Sequence, residues 1–145
     1  MKKAEYSQRI ENAFNQFNGS NVSVLKGFYD PAVHFQDPLV DLEGYEKIEA
    51  YYIGLYKNVD SIAFEFTEFL TAGDSVAAQW KMTLQAKGLN RGAPFTIPGA
   101  SFFKFGPSGL VIFHRDYVDL SAMIYERLPV LGSIVNLVKK ALHRN

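Results

Sequence analysis

The chain is predicted to adopt an α+β fold, a curved and mostly antiparallel sheet covered on one side by helices that enclose a cone-shaped apolar pocket. Three observations predict it. Apolar residues recur at helical spacing near the start, a meander of long period-two segments fills the middle, and the end returns to helical spacing. One domain over residues 1–145 is expected, with 120–145 as a C-terminal helical extension.

Tyr6, Ile10, Ala13, Phe14 and Phe17 form a helical stripe that Asn18-Gly19-Ser20-Asn21 stops. A short second helix runs from Val22 to Tyr29 and ends at Asp30-Pro31. Val33-His34-Phe35-Gln36 alternates as a strand until Asp37-Pro38 breaks it. A third helix spans Gly44 to about Lys57, with Tyr45, Ile48, Tyr52 and Leu55 on one face. Strands follow. The first covers Ile62 to Thr71 and turns at Ala72-Gly73-Asp74. In the second, Val76, Ala78, Trp80, Met82, Leu84 and Ala86 alternate with mostly polar residues, so one face is buried. A third strand from Phe95 to Phe105 contains Pro98 and Gly99, which predict a bulge or bend. Gly106-Pro107-Ser108-Gly109 leads into the last strand, Leu110 to Val118.

Composition excludes several classes. Lys+Arg and Asp+Glu both number 15, so no net charge points to nucleic acid as a partner. With no Cys there is no disulfide, thiolate nucleophile or Cys-based zinc site. His34, His114 and His143 lack ligand spacing, so no metal is expected. Phosphate-binding glycine loops are absent, and neither Ser101 nor Ser108 sits in a nucleophile elbow. The N-terminus lacks the apolar core of a signal peptide, and no apolar run approaches bilayer length, which makes the cytoplasm the expected location. Twelve Phe and eight Tyr exceed the needs of a thin core and suggest a lined cavity.

Phe113-His114-Arg115-Asp116-Tyr117-Val118-Asp119 places ionisable side chains in an apolar strand. Alternation sends Leu110, Ile112, His114, Asp116 and Val118 to one face and Phe113, Arg115 and Tyr117 to the other. A carboxylate beside an imidazole among apolar groups suits proton transfer, the rival role being a structural pair that stiffens the sheet. Asp37, beside Val33, Phe35 and Pro38, reads as a general base or as a turn aspartate bonding its own backbone. Asp119, before Leu120-Ser121-Ala122-Met123, reads as a helix N-cap.

Two segments, Phe28 through Pro38 and Gly109 through Asp119, carry a resemblance to the nuclear transport factor 2-like superfamily, which includes steroid delta-isomerases, SnoaL-like polyketide cyclases and limonene-epoxide hydrolases. The resemblance implies a cone-shaped α+β barrel, a hydrophobic small-molecule ligand, no cofactor, and a homodimer through the outer sheet face. It places a general-base aspartate at Asp37 and an acid or base at Asp116; from the same-face pairing alone, His114 reads as a group that orients or relays a proton beside Asp116. Trp80, Met82, Leu84, Phe103 and Phe105 become pocket walls, joined by Phe14, Tyr52 and Ser101. The sequence departs from the family at the isomerase oxyanion donors, whose positions fall at Ser101 and near Ala13 or Phe14. It also departs at the second epoxide-hydrolase carboxylate, since Gln79 to Leu84 holds Lys81 and no acid. Isomerisation, cyclisation, epoxide hydration and non-catalytic ligand binding all stay open.

From Ile124 to Asn145, Leu128, Leu131, Ile134, Val135, Val138 and Leu142 accompany Lys139, Lys140, His143 and Arg144 in an amphipathic basic helix. Its readings are docking on the domain or a dimer, a lid at Leu128-Pro129-Val130-Leu131-Gly132, and contact with a membrane surface.

Overall fold

The computed structural model describes residues 2–18 and 20–143; Met1, Gly19, Arg144 and Asn145 lie outside the described residues. Helix α1 (Lys2–Gln16) turns Tyr6, Ile10 and Phe14 inward, as the stripe requires. The second helix is shorter than expected, a 3-10 turn over Val22–Gly27 that buries Val22 and Leu25. Tyr29 already belongs to strand β1 (Tyr29–Gln36), so Asp30-Pro31 lies inside a strand rather than before it. A bulge makes this possible. β1 pairs Tyr29 with Val111 and next His34 with Phe113, leaving Pro31 where no ladder donor is needed. The Asp30 carboxylate accepts from the Ala32 amide at 2.8 Å and fixes the bend.

A short strand β2 (Asp41–Glu43), invisible to periodicity at three residues, pairs with β1. Gly44, at φ 97°, turns the chain into helix α2 (Tyr45–Leu55), where Tyr45, Ile48 and Tyr52 are buried. Strands β3 (Val59–Ala72), β4 (Ser75–Ala86), β5 (Phe95–Phe105) and β6 (Val111–Val118) form the meander. The sheet order is β2-β1-β6-β5-β4-β3, antiparallel except for the β1 and β6 pair.

Two expectations change. The sheet does not close into a barrel: β2 and β3 are its free edges, and the helices close the cone instead. No bulge occurs at Pro98-Gly99, where the β4 to β5 register runs unbroken from Ser75 opposite Lys104 to Leu84 opposite Phe95. Pro98 is tolerated because β6 ends opposite Gly99, so no strand lies on that side to need its missing N–H. Gly99 serves a different purpose. A Cβ there would fall 2.5 Å from Trp80 Cζ3 and closer still to Cη2, so the indole lies on the bare backbone.

After β6 come helix α3 (Leu120–Met123), a 3-10 turn at Tyr125–Arg127 and helix α4 (Pro129–Leu142). The expected continuous helix is broken because Pro129 opens α4 as its first residue. Asp119 caps α3 as predicted, accepting from the Ala122 amide at 3.1 Å.

Candidate active site

Strand β6 builds the site with one irregularity that alternation cannot foresee. Lys104 pairs with Phe113 but Phe105 pairs with Val111, so Ile112 is an extra residue that reverses the facing of everything before it. Val111, not Leu110 or Ile112, therefore shares the core side with His114. From His114 onward the alternation holds, and Arg115 and Tyr117 are exposed with the guanidinium 4.8 Å from the Tyr117 ring centroid.

His114 is fully buried in an aromatic cage. Phe103 stacks on it at 4.2 Å between ring centroids, and Phe35 and Phe14 present edges at 5.1 and 5.9 Å. Phe14 and Phe103, expected to touch a ligand, thus pack on the imidazole, while Phe105 stacks on Tyr6 at 4.0 Å. None of the three lines the central cavity. The physical reason is depth: their positions on α1 and β5 face the filled end of the cone, where rings meet rings.

Polar groups run through this apolar region in one chain. Trp80 Nε1 donates to Ser101 Oγ at 2.8 Å, and Ser101 donates to Asp116 Oδ1 at 2.5 Å. His114 Nε2 reaches the same Oδ1 at 2.6 Å, and its Nδ1 lies 2.7 Å from the Tyr29 hydroxyl. Every partner is satisfied when His114 carries its proton on Nε2 and accepts from Tyr29 at Nδ1. Two donors then converge on Oδ1 of the carboxylate. Among the described residues, no hydrogen bond is made to Oδ2.

Asp116 lines a cavity of about 180 Å³ together with Trp80, Met82, Leu84 and Tyr52, all four of which the sequence places in the ligand set. Asp37 lines it as well, so the two candidate carboxylates share one hollow. Asp37 has the contacts of a turn aspartate and also faces the cavity. Its Oδ1 accepts from the Leu39 and Val40 amides at 2.8 and 2.9 Å, as a turn aspartate does, and its Oδ2 accepts from the Tyr51 hydroxyl at 2.6 Å. Ser101 does not line the cavity and acts through Asp116.

Sequence reading missed Tyr51 and Tyr56, which line the cavity, and the closing wall of Leu120, Met123 and Ile124. Leu128 to Gly132, read as a lid, do not line the cavity; they form the N-cap and first turn of α4. Tyr56 lies four residues after Tyr52 and continues the α2 stripe into the 3-10 turn, so helical spacing is the signal that could have found it. Its hydroxyl makes no hydrogen bond with the described residues, and burial, followed by the charges of Asp116 and Asp37, holds its proton more tightly than usual.

Burial also raises the Tyr29 and Tyr52 hydroxyls well above the ordinary tyrosine value, with the charge of Asp116 adding to the effect. The folded chain thus holds these protons more tightly than the unfolded chain, which releases them above about pH 10. Stability is expected to be full below that pH and to fall as pH rises, by up to about 1.4 kcal/mol per pH unit for each group. Urea unfolding at successive pH values checks this. Tyr52→Phe should shallow the alkaline slope, and a wild-type stability flat through this range would contradict the burial of these hydroxyls.

The model of the SnoaL-like domain matches residues 10–114, more than half of the chain, and the protein belongs to that family. No curated protein matches it. Three solved structures show the same nuclear transport factor 2-like fold. An NTF2-like protein of unknown function from Burkholderia pseudomallei K96243 is 15% identical with a TM-score of 0.72, over 82% of this chain and 94% of that one. A protein assigned as a SnoaL-like polyketide cyclase from Jannaschia sp. CCS1 is 19% identical with a TM-score of 0.71, over 84% and 90%. A ketosteroid isomerase-like fold from Catenulispora acidiphila DSM 44928, in complex with trimethylamine, is 21% identical with a TM-score of 0.72, over 83% and 93%. Among the described residues, no helix is long and apolar enough to cross a membrane.

Proposed function

We propose that this protein binds a small apolar molecule in its cavity and moves a proton on it, with Asp116 as the base. The observation that carries the reading is the carboxylate itself, half-buried in an apolar wall, with Oδ1 held by Ser101 and His114 and, among the described residues, no bond on Oδ2. Oδ2 takes a proton from a carbon beside the ligand carbonyl and returns it at another position. The donors on Oδ1 stay in place throughout and keep the carboxylate aimed. Negative charge then develops on the ligand oxygen. Tyr56, firmly protonated and with no hydrogen bond to its hydroxyl among the described residues, supplies a donor for it, in place of the isomerase donor missing at Ala13 or Phe14. Asp37, already bonded by two amides and Tyr51, sets the polarity of the cavity mouth.

Size narrows the ligand. About 180 Å³ is below the ~300–1,000 Å³ of sites for drug-sized molecules, so one ring fits and a four-ring steroid does not. Trp80 is the chain's single tryptophan and lines the cavity, which makes its fluorescence a direct gauge of occupancy. With 3-cyclohexen-1-one, saturable change in that emission and growth of conjugated-enone absorbance are expected; cyclohexene oxide, followed as its diol, tests hydration. Absence of both saturation and product with either probe would remove the proposal. Saturation without product would assign the cavity to a non-catalytic ligand-binding protein, the reading that the missing family donors favour. In either case the outer faces of β5 and β6, where Phe102 and Tyr117 are exposed, are the surface through which two copies pair.

A further inference from the structure

We propose that α4 seats the protein on an anionic lipid surface. The match to the family model ends at residue 114 and does not reach α4. It leans mainly on the 3-10 turn at Tyr125–Arg127 rather than on the sheet. Two contacts fix its direction. Gly132 is so close to the Glu126 backbone that a Cβ would fall 2.5 Å from its carbonyl oxygen, and Lys139 Nζ donates to Glu126 Oε1 at 2.7 Å.

The rest of the helix is uncovered. Val130, Ile134, Leu137, Val138 and Leu142 are 53–77% exposed, which corrects the expectation that this face docks on its own domain. These residues fall on one broad arc at 100° per residue, and such an unpartnered arc demands a cover. Charge identifies it. Between residues 129 and 143 there is no acid, and with Lys139 already paired to Glu126 the helix end turns Lys140 and His143 outward. A second α4 laid on this face would bring no carboxylate of its own to meet Lys140. A lipid surface offers hydrocarbon to the arc and phosphates to the cations, the arrangement of an interfacial helix. The wall residues Leu120, Met123 and Ile124 come shortly before this segment, so a seated α4 brings the cavity wall close to the phase in which apolar molecules concentrate.

Sedimentation of the full chain with vesicles tests this, using phosphatidylcholine alone and phosphatidylcholine mixed with phosphatidylglycerol. Binding is expected on the mixed vesicles and to be much weaker on the neutral ones. Leu137→Glu should lower it at least about tenfold, and Lys140→Glu or added salt should lower it on mixed vesicles. Both side chains are exposed, so each variant should keep the wild-type melting temperature. Equal failure to bind either vesicle would overturn the proposal. So would sedimentation velocity showing a dimer that Leu137→Glu splits, since a second copy would then be the cover.

Discussion

Asp116→Asn should lower turnover of an accepted probe by about 10²–10⁴-fold, the range that a positioned base contributes, while leaving the protein folded. The amide is nearly the same shape as the carboxylate, and its oxygen still accepts from Ser101 and from His114 Nε2, so the polar chain through the core survives. Only the basic atom is lost. Saturation of Trp80 fluorescence should persist, because the cavity walls do not change. Wild-type turnover in this variant would remove Asp116 from the chemistry, and collapse of the fold would mark the carboxylate as a structural tie. Tyr56→Phe separates the donor from the base: it should reduce the rate while Trp80 fluorescence still saturates with the probe.

Gly99→Ala should destabilise the protein by about 1–3 kcal/mol, a large effect for one methyl group. The added Cβ would sit inside the contact distance of the Trp80 six-membered ring, and a rigid indole packed edge-on against Phe64 cannot fold out of the way. The ring must lift. Doing so pulls Nε1 from Ser101, the first link of the chain that ends on Asp116, so emission should shift and turnover should fall together with stability. Gly54→Ala is the matched control, since a Cβ on that α2 glycine meets nothing within 4 Å. It should be neutral or stabilise by about 0.4–1 kcal/mol. Equal melting temperatures for the two variants would show that Gly99 does not seat the indole.

How much was legible depended on the range of the interaction involved. The period-two run from Val76 to Ala86 and the stripe Tyr6, Ile10 and Phe14 need only neighbours along the chain, and both face as read. Strand β2 is too short to carry a period, and the bulge at Ile112 exists only because β5 and β6 fall out of step, which no single segment records. For the same reason Phe14 and Phe103 could not be told from cavity walls. Period distinguishes inward from outward, but not a filled end of a cone from its hollow end. Tyr56 was legible as the i+4 neighbour of Tyr52, whereas the wall of Leu120, Met123 and Ile124 depended on how the segment after β6 folds back over the cavity.

By itself, the sequence determined the mixed fold, the buried faces of its long strands and helices, and the nearness of His114 to Asp116, because these follow from backbone periods and covalent spacing. The tertiary structure alone decided that Asp37 and Asp116 open into one cavity, that Ser101 and Tyr29 hold the site from strands 15 and 85 residues away in sequence, and that the apolar arc of α4 is left bare. These depend on which distant surfaces meet, and that is set by the packing of the whole chain rather than by any stretch of it.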